Sequence, residues 1–440
     1  MKSILLCALV LALRFLPTAA QPRLLNLNDV IATSLRNNYD IQLIRNDGSF
    51  AALDYAYANY SLLPRLNATG GLLFNTGNRN EIRGNGDKGQ GKIRTNNVTA
   101  SLNLDWTLFD GFRMFIARDR LNKLVDLSEL QVKSQVIATV AEVMRLYYDI
   151  IRQQQGLQSL KEQMLLSEER LTLAQYKFDI GTGAKPDILQ AQIDLNAQKA
   201  AALTQQTAIN KIKELLNQLL VVPVSTDFSV ADTNIIFNPN LTLDSINGTY
   251  LATNPELLIA QRNLTLAELD LRLARAERFP QLEFNSAYNF NRSLNNAIVN
   301  PVQQNQLLQT RGLTYGFTAT VPIFNGFANR RIQKVAQINI RSQQLGYDRS
   351  LALVNTSISN AYKDYDLFKR ALALEEENIV LVRENIFIAR ERYRLGISTF
   401  IELREAQQSL AESTNRLIEA RYNIKTAEIE LLRLRGDLVK

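Results

Sequence analysis

Two stretches of the chain constrain its fold more than any other feature. The intervals from Gly111 to Gly181 and from Gly326 to Gly396 each span 70 residues, and neither contains a proline. As an α-helix, each would extend about 100 Å. Helices of this length exceed those of ordinary globular domains and indicate a coiled-coil arrangement.

The equal lengths belong to an internal duplication that covers most of the chain. Landmarks of the first half recur in the same order 215 or 216 residues later. The matched segments are Asn38–Ile41 with Asn254–Leu257, Leu63–Leu66 with Phe279–Leu282, Leu108–Phe112 with Ile323–Phe327, Ile180–Gly181 with Leu395–Gly396, and Ala191–Gln192 with Ala406–Gln407. We therefore predict two repeats, 21–222 and 242–440, joined by a connector over 223–241. The long helices are predicted at about 111–181 and 326–396.

The final helix of each repeat carries an apolar seam with the period of a coiled coil. In the second repeat the seam residues step by three and four without interruption: Leu403, Ala406, Leu410, Ser413, Leu417, Ala420, Ile424, Ala427, Leu431 and Leu434. A sustained period of about 3.5 residues predicts left-handed supercoiling. Alanine and glutamine interleave with larger apolar residues, which is typical of a helical wall with one wet side.

Four segments alternate apolar and polar residues with a period of two, which predicts strands with opposite faces. These strands lie at about 65–75, 97–109, 281–291 and 312–324. The segments 76–94 and 291–311 are predicted as long polar hairpin loops. Strands of about ten residues match tilted membrane-spanning strands, but four are too few to close a barrel within one chain. A small half-buried sheet of a soluble protein is the other interpretation.

The first twenty residues have the pattern of a secretory signal peptide. Lys2 precedes an apolar run from Ile4 to Leu13, and Pro17-Thr18-Ala19-Ala20 follows it. The run is too short for a stable membrane anchor, and small residues precede a cleavage site after Ala20. We therefore predict a signal peptide over 1–20, with a buried N-terminal helix as the alternative.

Composition excludes most catalytic chemistry. The chain has no histidine, and its single cysteine, Cys7, lies within the predicted signal peptide. Histidine-based triads and zinc sites are therefore excluded, which leaves only a carboxylate-only metal site, and no glycine-rich phosphate loop or serine nucleophile elbow is present. We predict no catalytic residue, no cofactor and no metal site, so the chain is not expected to be an enzyme. Its 50 basic and 43 acidic residues are dispersed, which gives no support for nucleic-acid binding.

Taken together, these features make the chain resemble the TolC-like outer-membrane efflux and secretion channels over about residues 25–438. The resemblance rests on the duplication and on two short motifs before the long helices, Phe109-Asp110-Gly111 and Phe324-Asn325-Gly326. It also rests on two similar turns, Phe178-x-x-Gly181-x-x-x-x-x-Asp187 and Tyr393-x-x-Gly396-x-x-x-x-x-Glu402. Each motif alone is weak, but their order and their repetition make the resemblance specific.

The resemblance implies a mainly α-helical chain with a small β part that assembles as a homotrimer. Three chains would form a twelve-stranded β-barrel in the lipid of the cell outer membrane and a twelve-helix tunnel through the periplasm. The implied function is a passive duct of a tripartite efflux pump or a type I secretion system. Its implied partners are a periplasmic adaptor, or membrane fusion protein, and an inner-membrane transporter. The alternative is a periplasmic coiled-coil adaptor or scaffold without a pore.

The same resemblance assigns roles to residues at the two turns. Glu402 and Glu405 would form a carboxylate ring at the periplasmic entrance, with two solvated surface acids as the alternative. Asp187 and Tyr393 would form a latch of the closed entrance, with a helix N-cap and a packed seam residue as the alternative. Ser398 stands where the family's best-known channel has an arginine that acts as a second latch. The predicted adaptor-docking residues are Phe178, Gly181, Thr182, Leu395, Gly396 and Ile397.

Overall fold

The computed structural model describes residues 23–82, 84, 86–299 and 302–438. The predicted signal peptide, 1–20, lies outside the described residues and stays a prediction. Two compact units divide the rest of the chain. One unit takes the described residues up to Asn46, Glu129–Ile259 and those from Asp348 onward, and the other takes Asp47–Ser128 and Ala260–Tyr347.

Helices make up most of the chain, and the four longest of them form two pairs of equal length. In chain order the elements are β1 (Arg23–Leu25), α1 (Leu27–Asn37), α2 (Tyr39–Ala56), a 3-10 helix (Ala58–Leu62), β2 (Arg65–Ile82), β3 (Lys88–Phe109), α3 (Arg113–Asp179), α4 (Lys185–Leu220), β4 (Phe228–Val230), α5 (Leu243–Asn247), α6 (Tyr250–Thr253), α7 (Pro255–Ala276), β5 (Gln281–Val299), β6 (Val302–Thr320), α8 (Ala328–Arg394) and α9 (Phe400–Arg435). Helices α3 and α8 each have 67 residues, and α4 and α9 each have 36. Among the described residues, no helix combines the length and the apolar character needed to cross a membrane.

The seam predicted for α9 is buried. Nine of its ten residues are buried, and Leu410 is partly buried. Leu403 and Ala406 pack in one apolar cluster, while the seam from Leu417 to Leu434 packs in another with residues of α8. Burial of each leucine or isoleucine contributes about 1.5–3 kcal/mol, so the seam is a main source of stability for this unit.

One asparagine of each repeat has the same structural role. The side-chain amide of Asn38 donates to the Leu219 carbonyl at 3.3 Å, and that of Asn254 donates to the Leu434 carbonyl at 2.7 Å. Each side-chain oxygen also accepts from the backbone N–H three residues ahead. Both asparagines therefore cap a helix start and satisfy a carbonyl at the end of a long helix, as their matched positions in the duplication suggest.

The segment predicted as a connector, 223–241, is bonded to two helices of its own unit. The Tyr147 hydroxyl on α3 donates to the Asp232 carboxylate at 2.8 Å. At the other end, the Tyr365 hydroxyl on α8 donates to the Asn238 carbonyl. Both tyrosine side chains are buried, so these bonds satisfy polar groups that have lost water.

The four long strands form one antiparallel sheet in the order β2-β3-β5-β6, which leaves β2 and β6 at its edges. Leu102 on β3, for example, lies opposite Ala68 on β2 and Tyr288 on β5. The alternation places apolar side chains on one face and Asn, Thr and Ser on the other. We call the first set the apolar band: Leu66, Ala68, Leu72, Phe74, Val98, Ala100, Leu102, Leu104, Trp106, Phe284, Tyr288, Phe290, Leu313, Tyr315 and Phe317. Most of these side chains are exposed in the single chain.

The prediction of long polar hairpin loops is wrong. Strand β2 continues to Ile82 and β3 begins at Lys88, so most of 76–94 is strand. In the second repeat, β5 continues to Val299 and β6 begins at Val302. Beyond the apolar band polar residues predominate on both faces, and apolar residues such as Leu294, Leu307 and Leu308 are scattered. The strict alternation therefore disappears while the backbone hydrogen bonds continue.

Candidate functional site at the two helical turns

Each repeat reverses direction at a glycine turn between two helices. Gly181 follows α3 with φ 77°, and Gly396 follows α8 with φ 76°. The Thr182 N–H donates to the Lys177 carbonyl, and the Ile397 N–H donates to the Arg392 carbonyl, both at 2.9 Å. These are the bonds of a helix end with a left-handed glycine. A side chain would be strained at either glycine, although the space around both is open.

The predicted docking residues are exposed at these turns. Phe178, Leu395 and Ile397 are 40%, 67% and 65% exposed. Gly181, Thr182 and Gly396 are also exposed. The turns therefore present apolar side chains to solvent at the ends of polar helices.

The helices after the two turns begin differently. Ala184 is the N-cap of α4, its side chain makes no capping bond, and Asp187 lies in the first turn. The alternative that Asp187 is the N-cap is therefore wrong, because the helix begins earlier, with Pro186 in its first turn. In α9, the Thr399 hydroxyl accepts from the Glu402 N–H at 3.3 Å, and the Glu402 carboxylate accepts from the Thr399 N–H at 3.4 Å. This capping box fixes the Glu402 side chain at the helix start.

Asp187 and Tyr393 lie on the same open cleft beside the turns. Tyr393 is buried and packs edge-to-face on Phe400 at 6.4 Å between ring centroids. Within the described residues, no hydrogen bond joins the Asp187 carboxylate to the Tyr393 hydroxyl. Instead, the Lys177 ammonium lies 3.7 Å from the Tyr393 ring centroid and donates to the Tyr393 carbonyl at 2.7 Å.

The charges of this cleft are coupled. Burial raises the pKa of the Tyr393 hydroxyl, and the negative charge of Asp187 raises it further. Burial lowers the pKa of the Lys177 ammonium, and Asp187 opposes that decrease. Asp187 therefore favours the neutral form of Tyr393 and the charged form of Lys177. In these forms the Lys177 ammonium is attracted to the face of the Tyr393 ring.

Glu402 and Glu405 lie together on the exposed face of α9. Leu403 and Ala406, the residues that follow each of them, are buried in the apolar cluster that includes Tyr393. The two carboxylates therefore project to solvent and do not line the cleft that contains Asp187 and Tyr393.

Sequence reasoning missed a buried charge cluster between α3, α4 and α9. The Arg170 side chain is 3% exposed and pairs with the Asp194 carboxylate at 2.8 Å. Arg404 pairs with the same carboxylate at 3.1 Å, and Phe400 faces the Arg170 guanidinium at 5.1 Å. Burial lowers the pKa of Arg170, and Arg404 lowers it further against the effect of Asp194. Arg170 follows Ser167 by three residues and precedes Ala174 by four, and both neighbours are buried. A charged residue at this helical spacing was the available signal.

In the described part of the chain, no group of three or more acidic, histidine or cysteine side chains could hold a metal ion. The turns thus offer exposed apolar side chains, a tyrosine–lysine–aspartate cleft and a pair of acids. Together with the sheet and the long helices, these features define a chain of the TolC-like type.

Comparison with known proteins agrees with this class. The family model for outer membrane efflux proteins matches residues 30–220 and 248–437. Protein CyaE of Bordetella pertussis is 22% identical over 80% of this chain and 73% of its own length. The toluene efflux pump outer membrane protein TtgC of Pseudomonas putida is 22% identical over 93% of this chain and 82% of its own. The solved outer-membrane channel OprN has a TM-score of 0.77 at 18% identity, covering 93% of this chain and 89% of that one.

The chain belongs to the outer membrane efflux protein family. The family match falls on two segments, one within each predicted repeat. This membership confirms the predicted family and outer-membrane location, and the likeness to OprN confirms the predicted fold class of a mainly α chain with a small β part.

Proposed function

We propose that this chain is one third of a passive export duct that crosses the outer membrane and the periplasm. The observation that carries the proposal is the sheet. It has an exposed apolar band on one face, a polar opposite face and two edges that pair on one side only. Open edges of this length invite further strands, and four strands are too few to close a barrel. Three copies would supply twelve strands, with the polar face toward the lumen.

The long helices would form the periplasmic part of the duct. Two similar repeats, 21–222 and 242–440, would each contribute a long helix and a shorter helix to the wall of a tunnel. The buried seam of α9 supports side-by-side packing of these helices. The family membership and the sheet both argue against the alternative of an adaptor without a pore.

The turns would be the periplasmic entrance and the docking place of an adaptor. The exposed residues Leu395 and Ile397 offer apolar contacts, and the rigid glycine turns present them in a fixed geometry. Through the adaptor the duct would receive substrate from an inner-membrane transporter, in a tripartite efflux pump or a type I secretion system. Asp187 and Tyr393, with Lys177 over the ring, would latch the closed state.

The assembly can be tested directly. Analytical ultracentrifugation of the full chain in detergent is expected to give particles of three chains, because a protomer alone leaves both sheet edges open. The same preparation should conduct ions in planar bilayers and should fractionate with outer membranes. A folded monomer, or recovery in the soluble periplasmic fraction, would contradict the proposed duct.

The entrance ring makes a separate prediction. Replacing Glu402 and Glu405 together with alanine is expected to reduce cation selectivity and to weaken block by multivalent cations by about tenfold. Three chains would bring six carboxylates near one axis, and their removal would abolish an attractive site for cations. Single-channel recording in planar bilayers measures both effects. Glu377→Ala, an exposed acid on α8, is the control and should behave like the parent. Parental selectivity in the double variant would place both acids outside the entrance.

A further inference from the structure

The limit of the apolar band on the hairpin side of the sheet is slanted. The apolar band ends at Phe74 on β2, Val98 on β3, Phe290 on β5 and Leu313 on β6. Leu294 and Leu307 lie opposite each other further out on the same face, where Arg292 separates Leu294 from the band and Gln309 and Arg311 separate Leu307 from it. Val98 lies opposite Leu72, which is two residues before Phe74 on β2. The limit of the band therefore moves back by two residues from β2 to β3. The registers of β5 and β6 give the same step at each further strand. A level band crosses tilted barrel strands in this way.

Cationic side chains follow the slanted limit on the same face. Arg292 is the next outward position after Phe290, and Arg311 is the next before Leu313. On β3 the corresponding side chains are Arg94 and Lys92, two and three positions beyond Val98 on that face, after Asn96. We call these four residues the basic row. The Arg311 guanidinium lies 5.5 Å from the Phe290 ring centroid, which places it on the apolar face.

No carboxylate among the described side chains compensates the basic row. All four of its side chains are exposed, and none forms an ion pair within the described residues. The strand acids whose side chains are described, Asp105 and Glu283, lie on the polar face. Asp105, for example, accepts there from the Asn285 amide at 3.0 Å. At the end of the apolar band, this face therefore carries positive charges that no described strand carboxylate compensates.

We propose that the basic row binds the phosphate groups of phosphorylated lipid in the outer leaflet. This inference rests on the proposed duct, which places the apolar band in the membrane and the hairpins outside. An amphiphile with acyl chains and an anionic head matches an apolar band followed by cations. Three of the four residues are arginines, whose planar guanidinium groups bind phosphate oxygens in pairs. A trimer would carry twelve such cations around its circumference.

The test compares lipid A in its bis-phosphorylated and dephosphorylated forms by native mass spectrometry of the full chain in detergent. The triple variant Arg94→Gln, Arg292→Gln and Arg311→Gln is expected to bind bis-phosphorylated lipid A about a hundredfold more weakly than the parent at low salt. The parent itself should prefer the bis-phosphorylated form. The triple Arg→Lys variant should retain part of the affinity, because charge remains but paired hydrogen bonds are lost.

Arg79→Gln is the matched control, since Arg79 lies at a similar height on the polar face and should leave the affinity unchanged. Circular dichroism and trimer content establish that each variant is folded. Equal binding by parent and triple variant, or equal binding of both lipid forms, would overturn the inference. Competition by inorganic phosphate as effective as lipid A would assign a free-anion site and also overturn it. If any of these results is obtained with a parent protein that conducts ions, only the lipid-binding role of the basic row is refuted. A parent protein that neither trimerises nor conducts ions refutes the proposed duct as well.

Discussion

Replacing Asp194 with alanine is expected to lower the free energy of unfolding of the unit that contains Glu129–Ile259 by about 3–5 kcal/mol. The reason is that the buried Arg170 charge loses its partner. Arg170 is 3% exposed, so its charge is largely removed from water and depends on this carboxylate. Arg404 is 48% exposed and can be hydrated, which confines the penalty to Arg170. Denaturant titration of the helical circular dichroism measures the effect.

Two further variants test whether the loss of stability comes from an unpaired buried charge or from the removal of an acidic side chain in general. The double variant Arg170→Leu with Asp194→Leu should recover much of the stability, because no unpaired charge remains. Asp227→Ala removes a carboxylate that pairs with Lys213 at 2.8 Å but is 75% exposed, and it should cost less than about 1 kcal/mol. Equal losses for Asp194→Ala and Asp227→Ala would contradict this account.

Replacing Gly181 or Gly396 with aspartate is expected to reduce export by about tenfold or more while the protein still reaches the outer membrane, because an unpaired charge in a docking surface costs several kcal/mol of binding. The free energy of unfolding should fall by only about 1–2 kcal/mol, since the backbone is strained at positive φ but the surrounding space is open. Export assays in intact cells and quantification in outer-membrane fractions measure the two effects separately.

Gly346→Asp is the control for these turn variants. Gly346 lies within α8, also with open space around it, and its φ is in the ordinary helical range. Export by this variant should equal that of the parent. If the Gly181 or Gly396 variants instead disappear from the outer membrane, these glycines act in folding and not in docking.

Much of the fold was predictable because its elements repeat. The seam from Leu403 to Leu434 follows one helical period, and glycines at matched positions mark the ends of both 67-residue helices. The apolar band was visible as strict alternation. Periodic patterns of this kind report burial on one side of a regular element, and burial dominates the free energy of folding.

Features that depend on backbone geometry or on distant partners were not predictable. The ends of β2 and β5 carry polar residues on both faces and only a few apolar residues without strict alternation, so their pattern does not distinguish them from loop. Phe112 and Phe327 adopt φ of 67° and 66°, which is costly for phenylalanine and is held here by neighbouring structure. The latch cleft was predicted as an aspartate and a tyrosine, but the lysine over the ring was missed because its position depends on the crossing of two helices.

The short 3-10 helix before β2 also bears on how the molecule can be observed. Trp106 is the only tryptophan in the chain, and its indole N–H donates to the Leu62 carbonyl at the end of that helix at 2.9 Å. All tryptophan emission therefore originates at one place, where a strand of the apolar band meets the helical segment before the sheet. The unaltered protein carries a fluorescent reporter whose wavelength and anisotropy follow the docking of this strand during insertion, without any attached label.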